Sequence, residues 1–449
     1  MEQNLTTGSV RKAIVRFSLP YLLSYFLQTL YGLADLFIIG QFNGVEATTA
    51  VSVGSQVMHM ITVMIVGLAM GTTVMIGQAV GARIQKNATR AIGNTVILFL
   101  CVSVVLAIVM VLIVRPVVSV MSVPEEAVEG CVSYLRICFI GIPLITAYNV
   151  ISAVYRGLGD TRSPLYFIAV ACVANIVLDY VFIGPLHMGP NGAAFGTVAG
   201  QTISVVVALI VIVCRKNRIR VSGSDFRPRW ETMGGLLRIG VPIAVQDGLI
   251  QVAFLIITII ANLRGLNDAA AVGIVEKLIT FIFLVPSTML ATVSALSAQN
   301  IGAEKWDRAR KTLRYAIFIA VGWGVLVVIV MELSADWFVG LFTDSKDVIR
   351  LGGQYMRGYI LDALLAGIHF CFSGYFSGIG RSGLSFIHNM IAVFCARIPL
   401  AYLASRMFAD TLLPMGLATA AGSLVSVIIC IILFFWLERK RKAAQTQFI

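Results

Sequence analysis

The chain has 449 residues, 58% of them hydrophobic and 12% charged, and its mean hydropathy is +0.90. Soluble proteins average about 45–50% apolar and about 25% charged residues, so half the charge needed to cover a soluble particle is missing. A soluble enzyme, a secreted domain and a disordered scaffold are excluded, which leaves a chain that crosses a membrane many times. The net charge of +12, from 34 Lys and Arg against 22 Asp and Glu, would suit a nucleic-acid partner only if gathered on one surface.

A spanning helix takes roughly 20 apolar residues. In chain order the sequence predicts twelve, at about 17–40, 49–80, 91–114, 131–155, 163–184, 193–214, 236–262, 270–298, 312–333, 355–378, 385–405 and 414–437. Residues 96–114 are apolar on every side without two-residue alternation, which specifies helices and not barrel strands.

Assigning Lys and Arg to alternate loops puts 25 of the 34 on one side, the side that also holds both termini. Among them are Arg83, Lys86 and Arg90, the run Arg215 to Arg229, Lys305 to Arg314, and Arg439 to Lys442. The opposite loops hold five, Arg115, Arg264, Lys346, Arg350 and Arg406, while Arg136, Lys277, Arg357 and Arg397 lie inside spans. This is the positive-inside bias, so both termini are expected in the cytoplasm. The positive charge anchors topology, and no nucleic-acid partner is expected.

An internal repeat of about 221 residues runs through the chain. Arg16 and Pro20 match Arg238 and Pro242; GQAVGA (77–82) matches AQNIGA (298–303). Tyr134 and Arg136 match Tyr355 and Arg357, YRGLG (155–159) matches FSGIG (376–380), and Gly200 with Ser204 matches Gly422 with Ser426. Six spans per half is an even number, so the halves share one orientation and form a parallel repeat. The expected architecture is an all-α membrane protein, twelve transmembrane helices in two six-helix bundles: residues 1–214, a basic cytoplasmic linker at 215–235, and residues 236–449. A central cavity between the bundles is expected from such a repeat.

Gly378, Gly380 and Gly383 form a GxGxxG, but a span and not a strand precedes it, and the third glycine has no repeat mate. A turn is the better reading than a dinucleotide site. GxxxxGK[ST], HExxH and GxSxG do not occur, so neither an ATPase of its own nor an enzyme is expected, and no ATPase subunit is implied. The eight Cys show no CxxC or metal-ligand spacing and read as packing residues.

A charge at mid-bilayer costs about 2.5–3.5 kcal/mol on insertion scales, so intramembrane polar groups are the first functional candidates. Span 1 carries Gln28, Tyr31 and Asp35 along one stripe; span 5 carries Asn175 and Asp179 one turn apart; Thr197 follows on span 6. Two carboxylates, a carboxamide and a hydroxyl supply hard oxygen ligands for Na⁺, and the acid pair can equally hold a proton. At the repeat offset the second half has Ile257 opposite Asp35 and apolar residues 400–403 opposite Asp179. The acids belong to the first half alone. The second half has a looser set: Asp247 and Gln251 on span 7, adjacent Glu276 and Lys277 on span 8, and Asp362 with His369 on span 10. Pairing of Lys277 with Asp362 is the structural alternative for that set. Arg397 has no arginine at its repeat position and no assigned role, and His59 and His388 read as packed, hydrogen-bonded histidines.

LADLFIIGQFNG (33–44), GQAVGAR (77–83), YRGLGDTRSP (155–164) and above all ANIVLDYVFIGPLHMGPNGAAFGT (174–197) resemble the multidrug and toxic compound extrusion (MATE) family, nearest its bacterial members, over essentially the whole chain. The resemblance implies cation-coupled antiport of bulky, amphipathic, often cationic compounds, by alternating access, in a bacterial plasma membrane. It implies that Asp35, Asn175, Asp179 and Thr197 bind the coupling cation, as metal ligands if that cation is Na⁺. Gln28, Tyr31 and Asn149 match positions that line the family's cavity, and Asp247 and Asp362 match carboxylates that some members use. The implied partners are drug-like organic cations and membrane lipid, with no cofactor beyond the transported Na⁺ or H⁺. A lipid-linked oligosaccharide or lipid flippase of the same architecture, and a major-facilitator transporter, are the alternatives. The 2–3 loop, GARIQKN, lacks the acidic-then-basic glycine motif of the latter.

Overall fold

The structure, a computed structural model, describes residues 5–214 and 221–446; the first residues of the linker, 215–220, lie outside the described set. Helices follow one another from end to end, with no strand among the described residues. In the first half they are α1 (Val10–Phe42), α2 (Val45–Gly81), α3 (Gln85–Leu112), the short α4 (Val114–Val120), α5 (Glu125–Ile140), α6 (Ile142–Gly157), α7 (Arg162–Ile183) and α8 (Gly189–Cys214). A 3₁₀ turn (Gly223–Phe226) leads to α9 (Trp230–Asn262), α10 (Leu266–Ile282), α11 (Leu284–Gly302) and α12 (Trp306–Gly340). Then come α13 (Lys346–Ile360), α14 (Asp362–Gly378), α15 (Ser382–Met390), a π-helical segment (Ile391–Arg397), α16 (Ile398–Met407) and α17 (Leu413–Thr446).

Among the described residues eleven helical stretches are long and apolar enough to cross a membrane, with α10–α11, α13–α14 and α15–α16 each counting as one. The bent pair α5–α6 makes twelve. The twelve expected spans are therefore present, most of them extended by a turn or more at their ends. Chain chemistry explains their breaks. α5 and α6 meet at 50° across Gly141, and Pro143 sits in the first turn of α6, where its missing N–H deprives no partner. Pro20 and Pro242 lie inside α1 and α9, ten or more residues from the helix starts, and both helices continue through them.

The repeat extends to backbone detail. Asp160 N bonds Tyr155 O at 2.9 Å with Gly159 at φ 85°, and Arg381 N bonds Phe376 O at 2.8 Å with Gly380 at φ 77°. Both are six-to-one closures with a left-handed glycine, so Gly378 and Gly380 terminate α14 while Gly383 lies in the first turn of α15, and the three form a helix-to-helix turn.

Contacts divide the described chain into two compact units. One comprises Val15–Ala244 with Ala298–Glu304 and the residues before Gly8; the other comprises Gly8–Ile14, Val245–Ser297 and the chain from Lys305 onward. The first unit is built on an apolar cluster around Ile39, Tyr134, Phe139 and Ile142, the second on one around Val275, Tyr355, Tyr359 and Ile360. Tyr134 and Tyr355, repeat mates, are both buried in these centres. The end of α11 joins the first unit for a steric reason. A Cβ on Gly81 would meet Gln299 O at 1.9 Å, and one on Gly302 would meet Gln78 O at 2.0 Å. The two repeat-matched motifs thus pack backbone to backbone. Gln299 completes the contact by donating to Gly157 O at 3.0 Å and accepting from Leu5 N at 3.3 Å.

Candidate functional site

Polar groups of the first unit converge where α1, α7 and α8 meet. Asp35, Asn175, Asp179 and Gln201 are all buried. Thr197 Oγ1 donates to Asp35 Oδ2 at 3.1 Å, and Asn175 Nδ2 donates to Asp179 Oδ2 at 3.1 Å. The two carboxyls face each other within hydrogen-bond range, and Asn175 also reaches Asp35. Beside them Gln201 Nε2 donates to the Tyr31 hydroxyl at 3.4 Å, with Gln28 on the same hydroxyl.

Small residues set this geometry. Gly192, Gly196 and Gly200 recur every fourth residue on α8, so α7 can approach its backbone. A Cβ at Gly196 would stand 1.8 Å from Asp179 Oδ1, and one at Gly200 would stand 3.0 Å from Asn175 Cβ. Four acceptor oxygens are left buried with no hydrogen-bond partner: Asp35 Oδ1, Asn175 Oδ1, Asp179 Oδ1 and Gln201 Oε1. A buried cluster of acceptor oxygens is suited to positive charge, as a proton or a hard cation. No group of three or more His, Cys, Asp and Glu is arranged for a metal among the described residues. The set instead mixes carboxyl, amide and hydroxyl oxygens, the ligand types a Na⁺ ion takes. Asn149, also buried, turns its amide onto Ile145 O of its own helix at 2.9 Å.

The second unit gathers a different set. Arg397 Nη2 lies 4.0 Å from Asp362 Oδ2 and donates to the Tyr359 hydroxyl at 2.8 Å. Its guanidinium also stands over the rings of Phe254 and Tyr359, at 5.1 and 5.5 Å. Glu276 accepts from Thr258 Oγ1 at 3.4 Å, whereas Lys277 is exposed, so the cation facing Asp362 is Arg397 and not Lys277. His369 Nε2 is 3.4 Å from Ser423 Oγ. His388, fully buried, bonds Ser373 Oγ at 3.0 Å and Ser426 Oγ at 2.7 Å. Asp247 accepts weakly from Gln246 at 3.5 Å, and no hydrogen bond joins it or Gln251, one turn on, to Asp362 among the described residues.

The model of the MatE family matches residues 20–181 and 242–403, two blocks of equal length, one in each half of the repeat. The chain belongs to the MatE family. Among curated relatives of this MatE chain, the probable multidrug resistance protein YpnP of Bacillus subtilis is 27% identical over 396 residues, 88% of each chain. The probable multidrug resistance protein YoeA of the same organism is 25% identical over 434 residues, 95% of this chain and 94% of the relative. Among solved structures, an outward-facing multidrug resistance MATE family transporter of the MOP superfamily matches with a TM-score of 0.91 at 25% identity, over 98% of both chains.

In this MatE chain, then, Asp35, Asn175, Asp179 and Thr197 come together with Tyr31 and Gln28, while the residues of the second half separate into an Asp362–Arg397 group and an Asp247–Gln246 group. Sequence reasoning missed Gln201, although it lies one turn beyond Thr197 on the same helix. It also missed Gly196, whose role depends on what stands opposite.

Proposed function

We propose that the chain is a secondary active multidrug efflux transporter. It exports amphipathic organic cations from the cytoplasm in exchange for external Na⁺ or H⁺, as a multi-pass protein of a bacterial plasma membrane with both termini cytoplasmic. The relatives' names support the multidrug reading. The observation that carries coupling is the buried set of acceptor oxygens at Asp35, Asn175, Asp179 and Gln201, one of each residue without a protein donor. Bound cation and bound drug must favour different conformers, since a ligand moves an equilibrium only by its difference in affinity for the two states. A cation held by Asp35 and Asp179 from the outside biases the first bundle toward drug release; its loss to the cytoplasm permits return.

The test reconstitutes the full chain in vesicles and imposes a Na⁺ gradient and a pH gradient separately, following efflux of a fluorescent organic cation. Wild type responds to at least one gradient, and Asp35→Asn and Asp179→Asn fall to the passive leak. Wild-type gradient-driven efflux by Asp35→Asn would sink the assignment. Scrambling of a labelled lipid in the same vesicles, without drug efflux, would favour a flippase.

A further inference from the structure

The cation cluster of the first half has a counterpart in the second with its charges rearranged. Carrying residues 20–181 onto 242–403 pairs Asn175 with Arg397, Asp179 with Ala401 and Asp35 with Ile257. The same displacement pairs Thr197 with Thr419 and Gly200 with Gly422. Packing bears out the equivalence: a Cβ on Gly200 would meet Asn175 Cβ at 3.0 Å, and one on Gly422 would meet Arg397 Cβ at 2.9 Å. Amide and guanidinium therefore spring from the same station against the next helix.

The acids near Arg397 come from other helices. Asp362 starts α14 and lies at 4.0 Å; Glu276 on α10 is within electrostatic reach but outside ion-pair contact. The π-helical segment ends on Arg397, and the extra residue per turn re-aims the side chain that follows it. Asp362 Oδ1, Glu276 Oε1 and Arg397 Nε are all buried with no hydrogen-bond partner. A fitted Arg–carboxylate fork closes to about 2.7–2.9 Å, so this pair is held short of full contact.

We propose that Arg397 is a tethered cation. Its guanidinium supplies in the second bundle the positive charge that the first bundle takes from solution, so the second bundle binds no mobile coupling ion while the arginine is present. The coupling role rests on the function proposed above; the charge balance between Arg397, Asp362 and Glu276 does not. With two acids against one base, the group is also a poor site for an anionic substrate.

The test is thermal unfolding of the purified full chain in choline buffer at fixed ionic strength, titrated with methylguanidinium or Na⁺. A D35N/D179N background silences the first bundle, so that any remaining cation response belongs to the second. In that background R397A lowers the unfolding temperature, and methylguanidinium restores it along a saturating curve, half-complete at a concentration at least ~10-fold below any effect on the parent. R397Q, which leaves less space, responds to Na⁺, and adding D362N abolishes both responses. Equal responses with and without Arg397, or none in either variant, overturn the proposal. So does failure of R397A and R397Q to fold under every cation, if D362N/R397Q fails too, because the role is then packing. Failure of the function proposed above is read separately, as wild-type efflux by Asp35→Asn.

Discussion

Asp179 is fully buried, and a methyl group on residue 196 would stand 1.8 Å from its Oδ1, so the acid holds its position only beside a glycine. Gly196→Ala must push the carboxyl away from Asp35 or separate α7 from α8. We expect it to remove gradient-driven efflux as completely as Asp179→Asn, with a stability loss of about 1–3 kcal/mol, typical of overpacking. Gly322→Ala on α12 is the control. Nothing lies within 4 Å of its added Cβ, so efflux should be retained and thermal stability unchanged or raised by up to about 1 kcal/mol. Asp35, Asn175, Asp179 and Thr197 were legible in the sequence because each is polar in an apolar helix. Gly196 and Gln201 were not, because the first is defined by what faces it and the second by the Tyr31 hydroxyl it reaches.

The linker between the halves is clasped by α3. Asn94, fully buried, donates to Asp225 O at 3.2 Å and Arg227 O at 3.3 Å, and accepts from Arg229 N at 2.7 Å. A Cβ on Gly93 would meet Asp225 O at 2.3 Å, so the 3₁₀ turn lies directly on the helix. Asn94→Ala leaves buried backbone groups unpaired at about 1–3 kcal/mol, and should speed amide exchange at Arg229 while distant helices stay protected. Within the turn, the Ser222 backbone N–H at 2.9 Å and its hydroxyl at 3.1 Å hold the Asp225 carboxyl below the usual carboxylate range. A depressed acid stabilises the fold above its unfolded value of about 3.9, and that contribution is lost as pH falls through the lowered one. The protection factor at Ser222, exchange divided out by its intrinsic rate at each pH, should therefore fall in strong acid in the wild type. Asp225→Asn should already have a lower protection factor at neutral pH, with no further fall in acid. The spans themselves were legible from hydropathy alone, since each is a run of apolar residues. Their breaks at Gly141, Phe283 and Leu361, and the π-helical segment at 391–397, were not, because hydropathy averaged over a span does not register an interruption of one residue.

For the molecule as a whole, the charge asymmetry makes a topological prediction. With 25 of 34 Lys and Arg assigned to one side, a fluorescent protein that matures only in the cytoplasm should glow when fused to either end. The same reporter placed in the 409–412 loop should stay dark, and the reverse pattern would invert the assignment. The repeat, visible as a sequence displacement, reappears as two equal MatE blocks and as matched helix closures at Gly159 and Gly380. It also joins the end of α11 to the first unit through Gly81 and Gly302.

The amino-acid sequence alone determined the class, the twelve spans, the parallel repeat and the presence of two costly acids in the first half. Each follows from how single residues partition between water and lipid, and such preferences add along a chain. Only the tertiary structure decided that Gln201 reaches the Tyr31 hydroxyl, that Gly196 makes room for Asp179, and that Arg397 rather than Lys277 faces Asp362. Those outcomes depend on distances between side chains far apart in sequence, which close packing settles to within an ångström and no residue-by-residue sum contains.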